Sequence, residues 1–160
     1  LVSHGSSTVP RYIVDEINAL GGSIQNAYGI SKEELKAAIP CGISKINVDT
    51  DIRLAVTRNF RELFRDCPEL KDDPKVGGIW KLLDEKRDAF DPRAFLAPIM
   101  DTVMYGTGDE GSVALITDAM RRGVKEAVGT LIVEFGSYGR APLVEQATLA
   151  DMAERYAGEG

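Results

Sequence analysis

Two short apolar segments, residues 1–3 and 43–48, read as β-strands, and only helical pattern lies between them. Residues 43–48 run Ile-Ser-Lys-Ile-Asn-Val, alternating apolar and polar, while Leu1 and Val2 read as the end of a buried strand. Between them Val9, Ile13, Ile17 and Leu20 recur at helical spacing, and Pro10 suits a first helical turn. Gly21-Gly22 stops that helix. Ser31 and Glu34 have capping-box spacing and open a short second helix, which Pro40-Cys41-Gly42 ends. The order is that of βα units, which demands a parallel sheet. Two strands alone do not make a stable sheet. The pattern therefore predicts an α/β fold, the C-terminal part of a (β/α)8 TIM barrel with additional C-terminal helices. A chain that opens inside a strand, on Leu1 rather than Met, is expected to be a piece of a longer protein.

After residue 48 the pattern is helical. Asp49-Thr50-Asp51 is expected to cap a long helix whose buried face carries Ile52, Val56, Phe60, Leu63 and Phe64. No strand is expected beyond Cys67. Residues 79–87 read as a short helix, and Asp91-Pro92 starts another running towards Met104. Residues 106–111 read as a loop and 112–135 as a long helix weakened by Gly123 and Gly129. Thr148 is expected to cap a last helix over residues 149–156. Met100, Met104, Met120 and Trp80 read as packing residues. One domain portion covers 1–160, with the last two βα units over about 1–66 and a helical extension over about 67–160.

Bulk properties exclude several classes. A formal charge of −6 gives no overall attraction to nucleic acid or to an anionic membrane. There is no run of about 18 apolar residues and no basic-then-apolar leader. Cys41 and Cys67 lack metal-type spacing and suit a reducing, cytoplasmic setting.

Three groups carry the polar chemistry. His4, the single histidine, precedes Gly5-Ser6-Ser7-Thr8 at a strand tip. Backbone N–H groups in such a turn can cradle an anion, and an imidazole beside it can ligate zinc. The alternative is a hydrogen-bonded histidine with a simple helix cap. Either His4 is structural, or its partner ligands lie outside these residues. In Lys45-Ile46-Asn47-Val48-Asp49-Thr50-Asp51, alternation sets Lys45, Asn47 and Asp49 on one side of the strand. Capping explains the aspartates but not Asn47 or Lys45, which at the mouth of a barrel would face substrate. Arg53 and Arg93 suit bidentate phosphate binding, or are solvated surface residues.

Together these segments resemble class II fructose-bisphosphate aldolase, the metal-dependent kind. The family carries a His-Gly-Ser/Gly-Ser segment at one late strand end and Lys-Ile/Val-Asn-Ile/Val-Asp-Thr/Ser-Asp at the last. Gly21-Gly22, Tyr28-Gly29-Ile30, Arg53-Leu54-Ala55, Phe90-Asp91-Pro92-Arg93 and Phe135-Gly136-Ser137-Tyr138-Gly139 also match, in order, over nearly the whole chain. The resemblance implies that His4 binds Zn2+ and that Gly5 and Ser7 hold the phosphate of dihydroxyacetone phosphate. It implies Asn47 towards the enediolate, Asp49 towards substrate hydroxyls and Thr50 towards the phosphate, with Asn47 and Asp49 as the catalytic pair. Arg53 would reach the distal phosphate, and so would Arg93, from a neighbouring subunit of a dimer. The implied reaction is the reversible cleavage of fructose 1,6-bisphosphate in glycolysis and gluconeogenesis, through a zinc-stabilised enediolate and without a lysine Schiff base. A monovalent cation, Na+ or K+, would sit near the phosphate, and the protein would be a cytoplasmic homodimer or homotetramer binding neither nucleic acid nor membrane. Tagatose-bisphosphate aldolase, or a non-catalytic phosphometabolite-binding or oligomerisation module, are the alternatives. The further histidines and the aspartate acid/base that the family uses are absent from these residues.

Overall fold

The computed structural model describes residues 1–101, 110–145 and 148–157. The chain divides into two compact units, Leu1–Val128 and Gly129–Gly160. In the first, β1 (Val2–Ser3) leads to α1 (Arg11–Ala19), α2 (Lys32–Ala38) and a 3-10 turn, Ile39–Cys41. Then come β2 (Lys45–Ile46), α3 (Thr50–Asp66), a 3-10 segment Pro68–Asp72 and α4 (Gly77–Glu85). After it α5 (Arg93–Leu96) passes into a 3-10 turn, Ala97–Ile99, and α6 (Gly111–Glu134) follows the undescribed residues 102–109.

β1 and β2 pair in parallel, Val2 opposite Lys45 and Ser3 opposite Ile46. A parallel pair needs a crossover, here α1 and α2. The expected strand over residues 43–48 is regular only at Lys45–Ile46, because a single neighbour offers it so few partners. The ladder still continues one step, with the Asn47 N–H donating to the Ser3 carbonyl at 3.0 Å. Among the described residues these two are the strands, and the rest of the regular structure is helical.

α1 starts after Pro10 and buries Ile13, Val14 and Ile17. α2 carries the expected capping box. The Glu34 N–H donates to Ser31 Oγ at 3.2 Å, and the Ser31 N–H to Glu34 Oε2 at 3.0 Å. The central element is α3. Its Leu54 and Ala55 join Ile13, Val14, Ile17, Ile24 and Ala127 in one core cluster. On its other flank Val56, Phe60, Leu63 and Phe64 meet Ile79, Leu83, Phe95, Leu96, Val113 and Ile116. Four of the five expected core positions on α3 are buried and Ile52 is half-buried. Burial of a large apolar side chain of this kind is worth about 1.5–3 kcal/mol. Phe60 and Phe95 meet edge to face at 5.7 Å.

Because α3 is wrapped on several sides, its polar residues are buried as well and need partners. Thr57 Oγ1 donates to the Phe90 carbonyl at 2.9 Å and Asn59 Nδ2 to the Ala55 carbonyl at 2.8 Å. The Arg61 guanidinium is buried and donates to the carbonyls of Leu83 at 2.9 Å and Arg87 at 3.3 Å, at the C-terminal end of α4. Burial lowers its pKa. Arg58 gathers Glu16, Glu62 and Glu126 from α1, α3 and α6. Gly123 of α6 crosses α3 so closely that a Cβ there would lie 2.7 Å from Val56 Cα and 2.8 Å from the Ala55 carbonyl oxygen.

Trp80, expected as buried packing, is half-buried. Its ring lies 5.6 Å from that of Phe64, and Lys71 Nζ stands 4.1 Å over its face. Met100 and Met120 pack against the larger core cluster as expected, while Met104 lies outside the described residues. The helix expected at residues 79–87 starts earlier, at Gly77. The segment after Pro92 tightens to a 3-10 turn at Ala97–Ile99, where Pro98 has no N–H to donate. The end of that helix near Met104 and residues 106–109 of the expected loop lie outside the described residues.

The second unit begins within α6. After it, glycines at positive φ, Gly136 (72°) and Gly139 (73°), make the turn foreseen in the sequence. Then come α7 (Ala141–Glu145) and α8 (Leu149–Tyr156). Thr148 and Asp151 form a capping box at α8, with the Asp151 N–H donating to Thr148 Oγ1 at 3.1 Å.

Candidate functional site

The β1–β2 register, continued by one residue, sets His4 beside Asn47. Side chains opposite one another in a parallel pair share a face, and Asn47 Nδ2 stands 3.0 Å from His4 Nδ1. The amide nitrogen donates, so Nδ1 accepts and the proton of a neutral ring sits on Nε2. His4 is exposed and Asn47 half-buried. The turn that follows is bonded to the same strand end, since the Ser6 N–H donates to the Asn47 carbonyl at 3.3 Å. The hydroxyls of Ser3 and Ser6 lie 2.5 Å apart. Gly5 has φ +65°.

Ser7 reaches across to α3. Its Oγ accepts from the N–H of Asp49 at 3.2 Å and of Thr50 at 3.0 Å. Two accepted bonds fill both lone pairs, which leaves the Ser7 O–H to donate. This differs from the expected capping by the Asp49-Thr50-Asp51 cluster. Asp49 stands at the N-cap position but makes no side-chain cap bond, because Arg53 holds its carboxylate. Thr50 lines a cavity of about 410 Å³ together with Val9, Leu54, Tyr28, Asp88 and Phe90.

Asp51 turns inward instead of capping. It is 3% exposed. It accepts from the Thr8 N–H at 3.0 Å, the Thr8 hydroxyl at 2.8 Å and the Val9 N–H at 2.7 Å. Sequence reasoning gave Asp51 a share in the cap and nothing more. The signal available was redundancy, since one of two aspartates at a helix start is enough to cap it.

Arg53 and Arg93 come together in one chain through alternating charges. Arg53 grips Asp49 bidentately, Nε to Oδ1 at 2.8 Å and Nη2 to Oδ2 at 2.5 Å, and its Nη1 meets Asp91 Oδ2 at 2.5 Å. Arg93 then bonds Asp91, Nη2 to Oδ2 at 2.7 Å. The segment carrying Asp91 is tied to α3 by the Thr57 bond to the Phe90 carbonyl. Asp91, to which the sequence pattern assigns no role of its own, is thus the link between the two arginines. The hydrogen bond from Arg93, aided by its backbone N–H and by the nearby charge of Arg53, holds the Asp91 carboxyl down at about 2. The hydrogen bonds that Arg53 donates to the Asp49 carboxylate raise the Arg53 pKa.

A carboxyl with a depressed folded-state pKa stabilises the fold above its unfolded value, and that share is lost as pH falls through the folded one. The Asp91 share is therefore expected in full above pH about 4 and gone below about 2. A carboxyl carbon NMR titration of Asp91 checks this, and a midpoint near 4 would contradict the arrangement.

His4 offers one imidazole nitrogen to a metal once the Asn47 contact is exchanged or its amide turned. Among the described residues no group of three or more His, Cys, Asp or Glu side chains can hold a metal ion. These residues thus fit zinc as a single donor with an orienting amide beside it. Lys45 is exposed on β2. No helix among the described residues is long and apolar enough to cross a membrane.

Comparison with known proteins gives this geometry a context. The family described as Fructose-bisphosphate aldolase class-II matches residues 1–140. Fructose-bisphosphate aldolase 2 of Cereibacter sphaeroides is 34% identical over 157 residues, 98% of this chain and 33% of that protein. Fructose-bisphosphate aldolase class 2 of Synechocystis sp. is likewise 34% identical over 98% of this chain. Fructose-bisphosphate aldolase of Thermus caldophilus is 38% identical over 141 residues, 88% of this chain. The chain spans about a third of the length of these curated relatives. With a match that takes in both strand ends, α3 and the arginine segment, the chain belongs to the class II fructose-bisphosphate aldolase family.

Proposed function

We propose that these residues form one wall of the active site of a metal-dependent aldolase. In the full-length protein, residues of about 1–66 are the last two βα units of a (β/α)8 barrel, and those of about 67–160 its helical extension. The reaction is the reversible cleavage of fructose 1,6-bisphosphate into dihydroxyacetone phosphate and glyceraldehyde 3-phosphate. The observation that carries the reading is the His4–Asn47 hydrogen bond at two neighbouring parallel strand ends, with the Ser7 hydroxyl beside it on the α3 amides. Active sites of such barrels lie at the C-terminal ends of the strands.

His4 is one ligand of a Zn2+ ion, and the other donors come from elsewhere in the full-length protein. When bound, zinc supplies a Lewis acid that polarises the ketose carbonyl. Asn47 orients the imidazole, and its amide lies where charge develops on the ketose half of the substrate. The Ser7 O–H donates to that half's phosphate, and the Gly5 and Thr50 backbones border the same place. A monovalent cation, Na+ or K+, accompanies this phosphate. Asp49 accepts from substrate hydroxyls. Arg53 and Arg93 take the distal phosphate by exchanging a carboxylate partner for it, a swap of one anion for another in a planar bidentate fork. The protein works in the cytoplasm, in glycolysis and gluconeogenesis, as a homodimer or homotetramer, without nucleic acid or membrane partners.

Exhaustive chelation of the full-length protein is expected to abolish cleavage, and added Zn2+ to restore it. Full activity in the chelated protein would rule the mechanism out. Tagatose 1,6-bisphosphate differs at one hydroxyl configuration, and competition between the two ketoses decides which is preferred.

A further inference from the structure

Val9 has φ +49°. A β-branched residue seldom occupies the left-handed region, and such strain persists only where the surroundings dictate it. Three donors converge on the cause. The N–H groups of Thr8 and Val9 and the Thr8 hydroxyl all point at the Asp51 carboxylate. Successive backbone N–H groups that converge in this way form an anion-binding concavity. Here the anion is a side chain of the same protein, placed in the first turn of α3 where the helix dipole favours negative charge. The residue just before this cradle is Ser7, whose Oγ accepts from the Asp49 and Thr50 N–H groups. The loop is thus spliced to α3 at two adjacent places, residue 7 to residues 49 and 50, residues 8 and 9 to residue 51. A third contact comes from the other direction. The Ile30 N–H donates to the Ser7 carbonyl at 3.1 Å, and any Cβ on Gly29 would collide with the Ser7 and Thr8 backbone.

We propose that Asp51 is a positioning residue: by holding Val9 in the left-handed conformation it fixes the direction in which the Ser7 hydroxyl meets a phosphate. The proposal rests on the reading above, in which Ser7 takes the phosphate of the ketose half. Asp51 itself touches no substrate. Without its carboxylate Val9 relaxes to negative φ, and the Ser7 bonds to the Asp49 and Thr50 N–H groups are left as the one splice between loop and helix.

The test uses the full-length protein and inorganic phosphate as probe, measured by titration calorimetry, so it does not depend on turnover. Asp51→Asn keeps the shape and removes the charge. It is expected to weaken phosphate binding by about tenfold, the scale of a hydrogen-bond set to a charged acceptor. In turnover the same variant raises KM with kcat little changed, the mark of lost uniform binding. Val9→Gly adopts the same φ without strain, so alone it leaves binding within about twofold, and in its background Asp51→Asn weakens binding by no more than about threefold. That recovery, together with a raised KM at unchanged kcat, separates positioning from a general loss of stability, which would lower the amount of active protein and not its affinity. Should Asp51→Asn fail to fold, Thr8→Val removes one of the three bonds and is expected to weaken binding about threefold, again recovered by Val9→Gly. Wild-type affinity in a folded Asp51→Asn or Thr8→Val protein overturns the proposal. So does an equal loss in both backgrounds, or a wild-type protein that binds no phosphate. A protein that binds phosphate with this coupling but cleaves no ketose bisphosphate supports the proposal and overturns the aldolase reading instead.

Discussion

Replacing Gly123 by alanine is expected to destabilise the protein by about 2–3 kcal/mol, although alanine is the better helix former by about 1 kcal/mol. The sign is decided by what the new methyl would meet. A Cβ at Gly123 lies 2.7 Å from Val56 Cα and 2.8 Å from both the Ala55 carbonyl oxygen and the Val56 nitrogen. These are backbone atoms of α3, which cannot swing aside as a flexible side chain can. The helices must separate, and Phe60, Ile116 and Ala119 in the core cluster alongside lose contact. Gly129, on the same helix, is the control. Among the described residues nothing lies within 4 Å of a Cβ there, so Gly129→Ala is expected to stabilise by up to about 1 kcal/mol, as helix propensity alone dictates. Denaturant midpoints of the two variants check this, and equal shifts would refute the close crossing.

His4→Ala is expected to lower kcat/KM by more than about 100-fold, because even the outer partners of a metal ligand are worth 10–100-fold. The fold should be unaffected, since the ring is exposed and bonds the Asn47 amide at the protein surface. Asn47→Ala is expected to fall in the 10–100-fold range of an orienting group. Metal content measured beside activity decides the matter. A His4→Ala protein with wild-type zinc stoichiometry and turnover would remove the imidazole from the mechanism.

The helices and their ends were the most legible part of the sequence. The Ser31–Glu34 and Thr148–Asp151 boxes are short-range chemistry, and both form as their spacing demands. The strands were legible in kind but not in extent, because a ladder's length depends on neighbours that periodicity does not reveal. The two glycines of α6 looked alike as weak points of a helix. Only the crossing with α3 separates them, and no local rule encodes a crossing. The same holds at the site. His4 and Asn47 stand in separate motifs, and it is the β1–β2 register that brings them together. That Asp51 would turn away from its own helix end to hold Thr8 and Val9, and that Asp91 would join Arg53 to Arg93, follows from distant segments coming together. Arg61 is the furthest from prediction. A charged residue on a helix face normally reads as solvent-exposed, yet here it closes the end of α4 from within the core.

The row Asp49, Arg53, Asp91, Arg93 sums to zero charge before any ligand arrives. Such a row throws little field into solution, so this wall gives a polyanion no long-range pull. Its contribution begins only at contact, when an incoming phosphate competes with a carboxylate for the same guanidinium. A row of this kind discriminates by how well the newcomer matches the fork it takes over, and anions of the wrong shape leave the internal pairs closed.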